Sequence, residues 1–278
     1  MQKNIRNSIL LLALLLLISC DSRHKQEKLA DERLKRIEAL INQNSLNAAK
    51  IEIDSIHFLY PRLVNKRRIA AAFADTIARR ESTRNLTYCD SVLPLKQHQA
   101  DSIQKNFRFE KDQKYQEVGN FVYKTQQTES NASRTYIKAY VDENADFYLI
   151  SNYFGGKIEH TSLGVSVNDL FAHTDTLNIS NPAYHSFNDG GSHWETLTFK
   201  NDADKGVSAF ISQNSSARIK ITLYGKKSYV YYLADADKKA ITETYHLWIV
   251  KKDVAKLQKE IKKAKTIIER VKRERTIK

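Results

Sequence analysis

The sequence predicts an α+β protein: an N-terminal helical hairpin, an antiparallel β-rich module (a sandwich, meander or open barrel), and a long C-terminal amphipathic helix packing on the N-terminal helices. Three observations predict it. All eight glycines of the 278 residues lie between Gly119 and Gly225, while the 118 residues before and the 53 after contain none. Apolar residues recur at helical spacing outside that window and gather in short aromatic and β-branched runs inside it. Charge changes near the same borders: residues 20–110 carry 17 Lys and Arg against 12 Asp and Glu, residues 111–250 carry 14 against 16, and residues 251–278 carry 12 against 4. Three prolines and the clustered glycines exclude collagen-like, Pro-rich and Gly/Ser-linker architectures. A hydrophobic fraction of 41% is enough for a buried core.

The chain opens on an address. Lys3 and Arg6 precede an uninterrupted apolar run from Ile9 to Ile18, ten residues long, against the roughly 18–20 that a membrane-spanning helix needs. Residues 1–19 therefore read as a secretory signal peptide. Leu17-Ile18-Ser19-Cys20 resembles the bacterial lipobox. The resemblance implies cleavage before Cys20, diacylglyceryl modification of its thiol and acylation, palmitate included, of the new amine. Several acyl chains anchor stably, because each buried methylene contributes about 0.8 kcal/mol. Cleavage leaves Cys89 as the last cysteine, so the mature chain has no intramolecular disulfide. No neighbour of Cys89 supplies a cation to activate it, and it reads as a buried structural thiol.

Residues 20–110 read as helical. Ala30, Leu34, Ile37 and Ile41 make one apolar stripe; Ser45 is the expected N-cap of a second helix bearing Leu46, Ala49, Ile53, Ile56 and Tyr60. Pro61 stops that helix or opens the next. A third stretch runs from Leu63 to about Val92, where Pro94 is expected to kink or break it.

The β-rich module spans 118–234. Strands are expected at Asn120–Thr125, Thr135–Val141, Asp146–Tyr153, Trp194–Lys200, Val207–Ser212, Arg218–Tyr224 and Ser228–Leu233, with turns at Asp142–Asn144, Gly155-Gly156, Asn201-Asp202 and Gly225-Lys226. Residues 161–192 read as one or two strands plus a long loop. The tail, 236–276, carries Leu247, Val250, Val254, Leu257, Ile261, Ala264, Ile268 and Val271 at 3-4 spacing, a heptad seam. Asp235 or Asp237 caps a helix reaching near Arg275. A competing strand over Thr244–Val250 is set aside because the seam runs back through Leu247 without a phase slip. The seam either packs on the N-terminal helices, giving a monomer, or pairs with a second copy, giving a coiled-coil homodimer.

The richest polar cluster is Tyr184, His185, Asp189, His193 and Trp194, in a loop expected over 184–195. Asn-Asp-Gly-Gly makes a tight turn on its own, in which the histidines are incidental; the alternative is a candidate glycan site, in which Trp194, Tyr184 and Phe187 form a platform for pyranose rings and the polar residues bind hydroxyls. His160, His173 and Glu195 add the elements of a metal site or an acid/base pair, but the spacing fits no zinc motif. GxSxG, GxxxxGK and GxGxxG patterns are absent from the sequence. No catalytic residue, metal or cofactor is expected, and the reading is of a non-enzymatic binding or scaffolding protein; a hydrolase built on His185 and His193 ranks last. The basic tail lacks interleaved aromatics and reads as a solvated helix face, so nucleic acid is not an expected partner. Anionic headgroups or a partner coiled coil are the alternatives.

Asp54-Ser55-Ile56, Asp75-Thr76-Ile77, Asp90-Ser91-Val92, Asp101-Ser102-Ile103 and Asp175-Thr176-Leu177 share an Asp-Ser/Thr-apolar pattern. It resembles the O-glycosylation sequon of extracytoplasmic proteins in Bacteroidetes, which implies Ser55, Thr76, Ser91, Ser102 and Thr176 as acceptors. Together with the lipobox, the helical leader and the Tyr-rich strands, the layout resembles Bacteroidetes lipoproteins. That implies a membrane partner through the anchor, an envelope location and an envelope-protein or glycan ligand. Asp21–Lys25 lacks the acidic run tied to surface export, which favours the periplasmic face.

Overall fold

A computed structural model of the chain describes residues 23–127, 130–189 and 191–276; the expected signal 1–19 and Cys20 lie outside them. Among the described residues the chain is α+β, with five helices and two antiparallel sheets. No described helix is long and apolar enough to cross a membrane. The chain divides into two units, one formed by residues up to Asp90 and from Glu260 onward, the other by Ser91–Lys259.

In the first unit, α1 (23–42) and α2 (Leu46–Leu59) precede the start of α3 (Val64–Gln104). The expected stripes are the core: Ala30, Leu34, Ile37 and Ile41 pack with Leu46, Ala49, Ile53, Ile56 and Tyr60, and α3 adds Ala70 and Ile77. Asn44, at φ 58°, takes the left-handed position after α1. Ser45 N–H then bonds Leu40 O at 2.9 Å and Asn44 N–H bonds Ile41 O at 3.1 Å, which closes the helix end. Ser45 sits at the N-cap of α2, but its hydroxyl makes no capping hydrogen bond. Pro61 lies in the turn between α2 and α3. Part of α5 (Asp235–Thr276) completes this unit: Ala264 and Val271 of the seam are buried, and Asn85 donates to Glu260 at 3.2 Å.

One expectation here is corrected: Pro94 does not end the helix near Val92, and α3 runs from Val64 to Gln104 with the proline inside it. An interior proline costs about 3 kcal/mol through its missing N–H and its ring. Contacts with α5 flank the proline, Asn85–Glu260 at 3.2 Å before it and Lys96–Asp253 at 2.7 Å after it. Cys89 is buried as expected, and burial pushes its thiol pKa up.

The second unit holds the sheets. The larger has the order β1 (Phe107–Glu110), β2 (Asn120–Tyr123), β3 (Tyr136–Asp142), β4 (Phe147–Gly155), β8 (Ser192–Lys200), β7 (Tyr184–Asp189). The smaller has the order β10 (Tyr229–Tyr232), β9 (Lys220–Tyr224), β5 (Ser162–Val167), β6 (Leu170–His173). Inward residues of both sheets, including Ile137, Leu149, Leu197, Leu163 and Ile221, share one core with Ile211 of α4 (Val207–Gln213) and Ile241 of α5.

Four expectations are corrected. Val207–Ser212 is helix, because Val207, Ser208 and Ile211 are the buried positions, a helical and not an alternating pattern. Asp204 caps it, accepting from Ser208 N–H at 3.0 Å and from the Ser208 hydroxyl. Phe107–Glu110, inside the span read as helical, is a strand paired with β2, so the strand region starts there and not at 118. Residues 161–192 hold three strands, not one or two. Finally, 184–195 is not a loop but most of a hairpin, with Tyr184 opposite Leu197 and Asp189 opposite Ser192.

Candidate functional site

The β7–β8 hairpin turns at Gly191, whose φ of +81° falls where side-chain-bearing residues are strained. Side chains alternate across a strand, so the five residues predicted as one site are divided between two faces. Tyr184 and His193 point inward with Glu195. His185, Asp189 and Trp194 share the outer face with Phe187.

On the outer face three rings come from three neighbouring strands. Phe154 on β4 lies opposite Trp194 on β8, which lies opposite Phe187 on β7. Trp194 and Phe187 stack at 5.0 Å with planes 4° apart, and Phe154 tilts against Trp194 at 4.9 Å. The indole N–H donates to Ala132 O at 2.7 Å, which fixes the ring. Phe187, on the edge strand, is 57% exposed. The next cross-strand row is polar: Asn152, Thr196 and His185, with Thr196 Oγ1 donating to Asn152 Oδ1 at 3.4 Å. Rings beside amide, hydroxyl and imidazole groups make a surface that stacks on an apolar ring face and hydrogen-bonds hydroxyls at its rim.

On the inner face Glu195 is fully buried. Its carboxylate accepts the successive backbone N–H groups of Ile158 (2.7 Å), Glu159 (2.8 Å) and His160 (2.9 Å), and the His160 ring Nδ1–H at 2.8 Å. Glu159 has φ 51°, so this segment is a backbone nest of the kind that holds anions, here filled by the protein's own carboxylate. Burial alone would raise the Glu195 pKa. The His160 ring and the three N–H groups outweigh burial and bring it down to about 2. His193 Nε2 lies 3.2 Å from Glu195 Oε1, and its Nδ1 lies 2.5 Å from Asn188 Oδ1. A carboxylate held this firmly as an anion neither takes nor gives a proton near neutrality. Its work is to pin the 158–160 segment. Gly225 makes the tight fit on the same segment, since a Cβ there would meet the carbonyl oxygens of Ile158 and Glu159 at 2.5 Å.

His173 stands apart from this cluster, on β6, with Nδ1 2.5 Å from Thr174 O and Nε2 3.3 Å from the Ser162 hydroxyl. Among the described residues no set of three or more His, Cys, Asp and Glu side chains forms a metal site. Phe154 and Asn152 were missed by sequence reasoning. They lie some 40 positions before Trp194, and only the β4–β8 register brings them beside it.

Of the hydroxyls in the repeated tripeptide, Ser55 and Thr76 donate to the carbonyls four residues earlier on their own helices, at 2.9 and 3.0 Å. Ser91, Ser102 and Thr176 are exposed. No protein-family model matches the chain, and neither a curated protein nor a solved structure matches it.

Proposed function

We propose that this protein is a lipid-anchored bacterial envelope protein that binds through the outer face of its larger sheet and performs no catalysis, with a glycan as the ligand class. The Leu17–Cys20 motif supports the anchor, and the missing acidic run after Cys20 favours the periplasmic face. The observation that carries the binding assignment is the row Phe154–Trp194–Phe187 with Asn152, Thr196 and His185 alongside. A sugar ring seats its apolar face on Phe187 and Trp194, and its hydroxyls meet the polar row. The buried carboxylate Glu195 is engaged by backbone, which supports a non-enzymatic role.

The test is a glycan array probed with the full-length chain in detergent. Wild type is expected to retain at least one glycan class, and Phe187→Ala to weaken it about tenfold or more, since one aromatic contact contributes about 0.5–1.5 kcal/mol beyond its buried area. Phe187 is exposed, so its truncation leaves the melting temperature nearly unchanged. Retention of no glycan by wild type would remove the ligand class and leave a scaffolding role. The anchor is tested separately: Cys20→Ala is expected to abolish incorporation of a palmitate label in the native host, and continued labelling of that variant would place the lipid elsewhere or nowhere.

A further inference from the structure

We infer that the end of the helical unit where α1 begins makes a second contact with the membrane, through a basic and apolar tip that seats on anionic headgroups. Placement at a membrane rests on the lipid-anchored reading above; the contact rests on the tip itself. Ion pairs fix which helix ends meet there. Arg33 Nη1 lies 2.5 Å from Glu52 Oε2 and Arg36 Nη1 3.2 Å from Glu52 Oε1, so α2 runs back along α1. The α2–α3 turn thus returns to the first turns of α1, where Ala30, Tyr60 and Leu63 share one buried cluster and Lys66 Nζ lies 2.5 Å from Asp31 Oδ1. Arg67 holds the turn, donating to Pro61 O at 3.2 Å and His57 Nδ1 at 3.3 Å. From Cys20 to Arg23, where α1 begins, the chain spans at most about 11 Å. Acyl chains on Cys20 therefore keep this end within reach of the headgroups.

The tip is apolar at its surface and positive around it. Phe58 and Val64, on either side of the turn, are 84% and 68% exposed, and Leu59 and Leu29 are exposed with them. Large apolar side chains gathered in water mark an interaction surface. Charge selects the partner. Between Asp54 and Asp75 the chain carries Arg62, Lys66, Arg67 and Arg68 and no acid. Lys66 is engaged by Asp31, and Arg23 by Glu27. Among the described residues the exposed Lys25, Lys28, Arg62 and Arg68 form no ion pair, and on α1 up to residue 32 Glu32 is the one acid without one. An apolar protein surface would leave these cations unmatched, and a small soluble anion would leave Phe58 in water. A bilayer containing anionic lipid satisfies both. The apolar side chains enter the boundary between headgroups and acyl chains, and the Lys and Arg stems lie along it with their charges at the phosphates.

Vesicle binding needs no acyl group, so its test is separate from palmitate labelling of Cys20. The mature chain, residues 20–278, is made with Cys20→Ala; it is unacylated and keeps every described residue. Co-sedimentation is measured with vesicles of phosphatidylcholine alone and of an equal mixture with phosphatidylglycerol. Binding to the mixture is expected to be about tenfold tighter or more, and to weaken as salt rises from about 0.1 M to about 0.5 M. Phe58→Ser with Val64→Ser, and separately Arg62→Gln with Arg68→Gln, are each expected to weaken it about tenfold. All four residues are exposed, so both double variants keep the parent's melting temperature in solution. Arg79→Gln with Arg84→Gln removes the same charge beside Asn44, at the other end of α1, and is expected to leave binding unchanged. The contact is overturned by no binding to the mixture, by equal binding to both vesicles, by full binding of Phe58→Ser with Val64→Ser, or by an equal loss from Arg79→Gln with Arg84→Gln. Palmitate labelling without vesicle binding removes this contact and leaves the anchor; vesicle binding without labelling supports the contact and removes the anchor.

Discussion

Glu195→Gln is expected to destabilise the Ser91–Lys259 unit by about 3 kcal/mol at neutral pH, and the deficit is expected to shrink in acid. The folded-state pKa of Glu195 is about 2 against an ordinary 4.5, and each unit corresponds to about 1.36 kcal/mol. A depressed carboxylate pKa stabilises the fold above the unfolded value, and the contribution fades as pH falls from about 4.5 to about 2. The amide is nearly the same size, so packing is preserved. It offers one acceptor oxygen where the nest presents three N–H groups, and its NH₂ points a donor at a donor. Each buried N–H left unpaired costs about 1–3 kcal/mol. Both tryptophans of the chain, Trp194 and Trp248, lie in this unit, so urea unfolding followed by tryptophan fluorescence reports on it directly. At pH 7 the variant is expected to unfold at distinctly lower urea, and near pH 3 the two curves approach each other. A gap that stays constant across that range would mean that the charge of Glu195 is not what holds the 158–160 segment.

How much of this was legible in the sequence follows from the range of the interactions involved. The helical stripes at Ala30–Ile41 and Leu46–Tyr60 and the seam from Leu247 to Val271 depend on neighbours three and four residues apart, and their buried positions are the ones the spacing selects. Val207–Ser212 misled for a local reason, since the seven-residue helix Val207–Gln213 offers one apolar i, i+4 pair, Val207 with Ile211, and little else to separate it from a short apolar strand. Phe107–Glu110 misled for a similar one: four residues give two alternations, and only pairing with Asn120–Tyr123 identifies them as strand. The candidate site was legible in composition and not in geometry. Reading Tyr184, His185, Asp189, His193 and Trp194 as a loop put them together; as a hairpin, period-two alternation sends Tyr184 and His193 inward to Glu195 and leaves the others outside with Phe154.

Long-range pairing also sets the other large expected effect, at Arg134. Asp237, in the first turn of α5, is 2% exposed, and its carboxylate is paired with the guanidinium at both ends: Nη1 to Oδ2 at 2.6 Å and Nη2 to Oδ1 at 2.7 Å. Arg134 Nε donates to Asn131 Oδ1 at 2.7 Å, and the guanidinium lies 4.4 Å from the centre of the Tyr136 ring. Gln126, fully buried, donates to Ile137 O at 2.7 Å and to Asp237 Oδ1 at 3.3 Å while accepting from Ala139 N–H at 3.0 Å. The network ties the start of α5 to the entry of β3. Arg134→Met leaves a buried carboxylate whose one remaining side-chain partner among the described residues is the Gln126 amide at 3.3 Å, a loss of about 3 kcal/mol, at the low end for a buried pair because Arg134 is itself partly exposed. Removing both charges is expected to cost less than removing one, because the desolvation of Asp237 disappears with it: Arg134→Met with Asp237→Leu should recover part of the stability that Arg134→Met loses. A favourable helix-terminus interaction worth about 0.3–1 kcal/mol is lost with Asp237, so recovery stays incomplete. Urea unfolding of the two single variants and the double variant measures this as a coupling energy. Strictly additive losses would show that the pair is not coupled, and the stability at the start of α5 would then rest on its other contacts, among them buried Ala240 and Ile241 and the bond from Lys238 Nζ to Ala217 O at 2.8 Å.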